Sequence, residues 1–94
     1  MTIEQKRNLV TSIPGPVSTA LHQNRLEHVG HGVGATLPVY IDSAHGAILV
    51  DVDGNQFIDL GSGIGVTTIG HTNEGVVKAV AEQVAKLTHT LFTV

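Results

Sequence analysis

The chain has no cysteine and no tryptophan, and its aromatic residues are one tyrosine and two phenylalanines. Without thiols there can be no disulfide, no thiolate zinc site and no cysteine nucleophile. A cysteine-free chain also fits the cytoplasm, which is the expected location. Few large rings leave few bulky groups for a core. With 41% hydrophobic residues among 94, the length suits one small domain or a piece of a larger one. Charge is sparse as well. Five lysines and arginines against eight aspartates and glutamates give a net −3, so there is no basic footprint and no nucleic-acid partner is expected. No apolar run approaches the roughly 20 residues that cross a bilayer. The opening "MTIEQKRNLV" lacks the apolar stretch of a signal peptide, and no membrane partner is expected.

What is present divides at about residue 37. Residues 1–37 read as a helical and loop segment. Thr2 and Gln5 have capping-box spacing, which predicts a short helix over 2–12 with Ile3, Leu9 and Val10 as its apolar residues. "IPGP" at 13–16 breaks it. Pro16 then suits the first position of a second helix, with Val17, Ala20 and Leu21 on one face. Gly30, Gly32 and Gly34 mark a loop. Over 38–94 the pattern changes. "PVYIDSAHG" reads as a strand and a turn. In "AILVDVDGNQFIDL", Ile48, Val50 and Val52 alternate with Leu49 and Asp51. "DGN" at 53–55 supplies the positive-φ positions of a tight hairpin turn, and Phe57, Ile58 and Leu60 return. Val77, Val80, Val84 and Leu87 predict a helix over about 74–87. Thr72 or Asn73 can cap it, and Glu74 suits the positive end of its dipole. The apolar "HTLFTV" at the end reads as a chain that continues.

Between hairpin and helix lies "GSGIGVTTIGH", residues 61–71. A dinucleotide fingerprint needs G-x-G-x-x-G and an acid about 20 residues on. Here Gly61, Gly63 and Gly65 are followed only by Gly70, and the one acid near that offset, Glu82, lies mid-helix. A P-loop needs Gly-Lys-Ser/Thr, but no lysine falls between Lys6 and Lys78. The residues themselves favour close backbone approach, with Ile64 and Val66 turned to a core or a pocket. "DVDGNQ" has its glycine too early for a calcium loop, so a hairpin turn is preferred. His28 and His31 form H-x-x-H in a glycine-rich loop, without supporting acids. No metal site is expected, and His71 reads as structural. Ser62 is not in a G-x-S-x-G elbow. Composition and spacing end at part of a soluble α+β protein.

The order of segments carries more. Asp51, Asp53, Gly54, Phe57, Ile58 and Asp59 match D-x-[DE]-G-x-x-[YF]-[IL]-D. Residues 61–66 with Gly70 and His71 match G-x-G-I-[AG]-V…G-H. His89, Thr90 and Phe92 match "HTCF", with Leu91 in place of the cysteine. Together with "IPGPVS" and "GVGATLPV", this pattern resembles the N-terminal part of class III (ω-type) pyridoxal-phosphate aminotransferases, and the likeness spans essentially the whole chain. One departure is Asn73-Glu74, where the family usually has His-Pro. It moves the helix cap and leaves the chemistry untouched. The other is length, since family members are several times longer.

The resemblance implies an α+β fold class: the N-terminal part of the small domain of a fold-type I transferase, with the large catalytic domain outside this chain. It implies pyridoxal 5'-phosphate as cofactor of the full-length protein. It also implies an ω-amino acid and 2-oxoglutarate as substrates, with the greatest likeness to members acting on 4-aminobutyrate, and a homodimer. The family's Schiff-base lysine, pyridine-nitrogen aspartate, phosphate loop and carboxylate-binding arginine all match positions beyond residue 94. No catalytic or cofactor-binding residue is therefore assigned here, and the chain alone is expected to be inactive. In the family the glycine-rich segment passes over the substrate cleft. The resemblance makes Ile64 an apolar wall for the substrate and Thr93 a second substrate neighbour. Core packing for Ile64 and an ordinary strand position for Thr93 are the alternatives. At the level of function, the alternatives are another class III ω-aminotransferase, acting on ornithine, a diamine or another ω-amino acid, and a stand-alone binding module without catalysis.

Overall fold

Three short strands form an antiparallel sheet in the order β1-β2-β3: β1 Ile41–His45, β2 Ile48–Asp51 and β3 Gln56–Ile58. The computed structural model describes residues 2–94. The β1–β2 turn is possible because Gly46 takes φ +58°, a left-handed conformation that costs glycine little. Across β2 and β3, Val50 faces Gln56, Leu49 faces Phe57 and Ile48 faces Ile58. The predicted hairpin is present, but its turn is wider than a two-residue loop. Of "DGN" only Gly54 takes a positive φ, +85°. The turn closes through Gly54 N–H to the Asp51 carbonyl at 3.0 Å and Asp51 N–H to the Asn55 carbonyl at 3.0 Å.

Helix α1 spans Pro16–His28 with proline in its first turn, as expected. Its N-cap, Gly15, has no side chain to offer. The missing acceptor comes from the hairpin turn. The Asp53 carboxylate accepts the Val17 amide at 2.7 Å and the Ser18 amide at 2.8 Å. This anchors α1 to the sheet.

Residues 2–12 do not form the predicted helix. Asn8 pairs with Gln56 through both backbone bonds, at 3.1 and 2.7 Å, and so adds a bridge to the outer edge of β3. Gln5 reaches away from any helix start. Its amide group accepts from Ala47 N–H at 3.0 Å and donates to the His45 carbonyl at 3.0 Å. A segment this short gains little from isolated helix formation, whereas extended it satisfies an open strand edge.

The segment α2, Ser62–Gly65, is a single turn that departs from α-helical φ and ψ at Gly63 and Ile64, and helix α3 covers Glu74–Val84. Asn73 is the cap, accepting from Gly75 and Val76 amides at 3.1 and 3.3 Å. Leu87, expected at the helix end, lies in a closing turn whose amides bond back to Gln83. The only buried hydrophobic residue among those described is Ile48, while Val76, Val77, Val80 and Val84 of α3 are each about half exposed. The radius of gyration is 16.6 Å, against about 12 Å for a closed domain of this length. The chain thus displays apolar faces instead of enclosing them. No helix is long and apolar enough to cross a membrane.

Candidate functional site

Two polar networks hold the irregular parts. The first is buried in the β2–β3 turn. Asn55 is fully buried. Its side-chain oxygen accepts the Val10 and Thr11 amides at 2.8 and 2.9 Å. Its nitrogen donates to Thr11 Oγ1 at 2.8 Å and to Asp51 Oδ2 at 3.0 Å. Asp51 Oδ1 in turn accepts the amides of Asn55 and Asp53 at 2.7 and 3.0 Å. Apart from Asp51 Oδ2, which takes the Asn55 side chain, the carboxylate and amide oxygens of "DVDGN" are thus committed to backbone amides, which is how a hairpin turn uses them. Partial desolvation pushes the Asp53 carboxyl up, but the Ser18 and Val17 amides outweigh it and hold the group below the usual carboxylate range.

The second network forms the base of the glycine-rich loop. Asp59 Oδ1 accepts the Ser62 amide at 2.8 Å and the Gly61 amide at 3.1 Å. Asp59 Oδ2 meets His71 Nε2 at 2.7 Å, with the two side chains 12% and 20% exposed. A carboxylate only accepts, so His71 Nε2 carries the hydrogen. The His71 bond, followed by the Ser62 amide, holds the Asp59 carboxyl below its ordinary value. His71 is itself fixed to the sheet: it exchanges both backbone bonds with Gly46, at 2.9 and 3.1 Å. Gly70 makes that approach possible, because a Cβ there would stand 3.2 Å from the Gly46 carbonyl oxygen. Thr72 adds a second tie. Its hydroxyl donates to the Ala44 carbonyl at 3.2 Å and therefore accepts from His45 Nδ1 at 2.8 Å.

Between these ends the chain runs left-handed. Ser62, Gly63, Ile64 and Gly65 have φ of +48°, +59°, +62° and +76°. The turn closes with Ile64 N–H to the Gly61 carbonyl at 2.8 Å and Val66 N–H to the Ser62 carbonyl at 2.7 Å. A Ser62–Thr67 hydroxyl bond at 2.8 Å braces it. A β-branched residue at positive φ is a real outlier. Gly65 serves this backbone path and not close approach, since a Cβ there would meet nothing within 4 Å, whereas one on Gly63 would stand 3.3 Å from Val66 Cβ. Ile64 is 98% exposed and Val66 74%, so neither packs into a core of the described chain. The loop presents an apolar tip on a polar, tied-down base.

Thr93 lies in an exposed terminal turn, where Thr90 Oγ1 donates to the Val94 carbonyl at 3.0 Å. Among the described residues no hydrogen bond joins that turn to the glycine loop. Sequence reasoning placed Asp53 and Asn55 in the hairpin turn and Asp59 in a motif, and missed the backbone amides that their side chains hold. The signal for Asp53 and Asn55 was an Asx-rich turn, which the spacing identified only as a turn.

The described residues do not fit pyridoxal phosphate. That group needs a lysine amine and a cradle of free amides. Lys78 stands 78% exposed on α3, facing Glu82 at 3.9 Å. In the glycine loop, the amides of Ile64, Val66 and Thr67 are already donated to Gly61 and Ser62. No chemical step is derived through the cofactor here.

The fold itself is that of pyridoxal-phosphate aminotransferases. The structure superimposes on acetylornithine aminotransferase from Elizabethkingia anophelis with a TM-score of 0.74 and 28% identity, covering 82% of this chain and 20% of that one. Residues 29–94 match the aminotransferase class-III family, and the chain belongs to that family. It is 57% identical over 93 residues to the 4-aminobutyrate aminotransferase of Mycobacterium tuberculosis, covering 99% of this chain and 21% of the relative. It is also 59% identical over 49 residues to isoleucine 2-epimerase of Lentilactobacillus buchneri, covering 52% of this chain and 11% of the relative. The chain thus spans about one fifth of the length of the first of these relatives, and part of it accompanies more than one reaction.

Proposed function

We propose that the complete polypeptide is an ω-aminotransferase that moves the amino group of 4-aminobutyrate to 2-oxoglutarate, giving succinate semialdehyde and glutamate. Pyridoxal 5'-phosphate would be held by residues outside this chain. The observation that carries the reading is 57% identity along 99% of the chain to proteins named for that substrate. This chain contributes an apolar wall. Ile64, carried outward on the left-handed turn, is the residue to lie along the methylenes of the amino acid. Each buried CH₂ gains about 0.8 kcal/mol. Thr93 supplies a hydroxyl for the substrate carboxylate or its water. A cytoplasmic homodimer completes the proposal, and the exposed valines of α3 are a surface that assembly can cover.

The test is turnover by the complete purified polypeptide, with cofactor, 4-aminobutyrate and 2-oxoglutarate, followed as succinate semialdehyde. Ornithine and a diamine are the comparison donors. Faster turnover of either comparison donor reassigns the substrate within the family. No turnover of any amine refutes the aminotransferase reading and leaves a binding module. Isolated residues 1–94 are expected to give no product.

A further inference from the structure

We infer that Asp59 and His71 are positioning residues, which clasp both ends of the glycine loop and so set where Ile64 stands against the substrate. The inference rests on the function proposed above.

Among the described residues the loop finds little packing to hold it. Ile64, Val66 and Ile69 are 98%, 74% and 64% exposed, and segments with so little buried apolar contact open locally at small cost. Its backbone also works against it, because Ile64 sits at φ +62°, where a β-branched residue is disfavoured. The backbone pairing of His71 with Gly46 and the Ser62–Thr67 hydroxyl bond each hold one part of the loop, but only one carboxylate joins its two ends. Asp59 ties the first end through the Gly61 and Ser62 amides and the second end through His71. The His71 backbone, paired with Gly46, transmits the sheet's position to the clasp.

The consequence is kinetic and specific. Without the clasp, the placed loop becomes one of several states. Apparent affinity then falls in proportion to the fraction still placed. Bound substrate restores the placed state, so the rate at saturation is kept. A merely structural residue would lower the amount of folded enzyme, and hence kcat, with no such split.

The experiment is steady-state kinetics of the complete polypeptide with 4-aminobutyrate. Asp59→Ala is expected to raise KM about tenfold and to leave kcat within about twofold. Asp59→Asn keeps an acceptor for both amides and a partner for the other imidazole tautomer, so it recovers most of the loss. In an Ile64→Ala background, adding Asp59→Ala should change KM by less than about twofold, because coupled residues are not additive. Equal effects in both backgrounds, or a fall in kcat at constant KM, overturn the inference. If Asp59→Ala does not fold, His71→Gln carries the same comparison. If the wild-type protein transaminates nothing, the functional reading fails separately. Hydrogen exchange at the Ser62 and Ile64 amides then decides the clasp. Exchange faster by about tenfold in Asp59→Ala supports it, and unchanged exchange overturns it.

Discussion

Replacing Asn55 by alanine should loosen the extended N-terminal segment from the sheet. The side chain makes four hydrogen bonds, two from backbone amides and two to side-chain oxygens, at 2.8–3.0 Å in a fully buried position. Truncation removes all four bonds at once. Val10 is 59% exposed, so water can serve its amide. The Asp51 oxygen and the Thr11 groups are less accessible. Leaving a buried polar group unsatisfied costs about 1–3 kcal/mol, and two such sites give a local loss of about 3 kcal/mol. That corresponds to roughly a hundredfold faster amide exchange at Thr11, since each factor of ten is about 1.4 kcal/mol. The assay is hydrogen exchange on the complete polypeptide, comparing Thr11 with amides in α3. Asn55→Asp is the informative companion: it keeps the acceptor, loses the donor and sets a second carboxylate against Asp51. Exchange at Thr11 within threefold of wild type in Asn55→Ala, a bound set well below the roughly hundredfold expectation, would refute the argument.

Other expectations follow from the same geometry. In Gly15→Ala the new Cβ would fall 2.3 Å from Asp53 Cγ; overpacking of this kind costs about 1–3 kcal/mol, read as a lower Tm, and an unchanged Tm would contradict it. The carboxyls of Asp53 and Asp59 are both held below their ordinary values in the folded chain. Each therefore contributes stability that is complete above the unfolded pKa of about 3.9 and is lost as the pH falls through the lower folded value. Thermal melts should drop below about pH 4, with the α1 N-terminus and the loop base loosening first by NMR; melts flat to about pH 2 would contradict this.

How much could be read in advance depended on the range of the interactions. The β2–β3 hairpin, the start of α1 at Pro16 and the Asn73 cap were legible because each is decided within a few residues. Residues 2–12 misled because Thr2 and Gln5 imitate a capping box, whereas Gln5 is used to bridge His45 and Ala47, some 40 residues away. Asp53 looked like a turn residue and is one, but its carboxylate also caps a helix more than 30 residues upstream. Nothing local announces that Ile64 is left-handed, since its β-branch argues for the opposite. The flanking glycines permit that path, and the ties at Asp59, which join residues up to twelve apart, help to hold it. At the level of family, the ordered motifs over 51–71 were sufficient.

The left-handed isoleucine sets stability against use. Glycine at position 64 would relax a backbone that costs about 1–2 kcal/mol for a residue carrying a Cβ. A laboratory selection for heat resistance would therefore favour Ile64→Gly, and on the proposed function would erode substrate affinity in the same step. Libraries built to harden this protein should hold position 64 constant and seek their gains on α1 or in the hairpin.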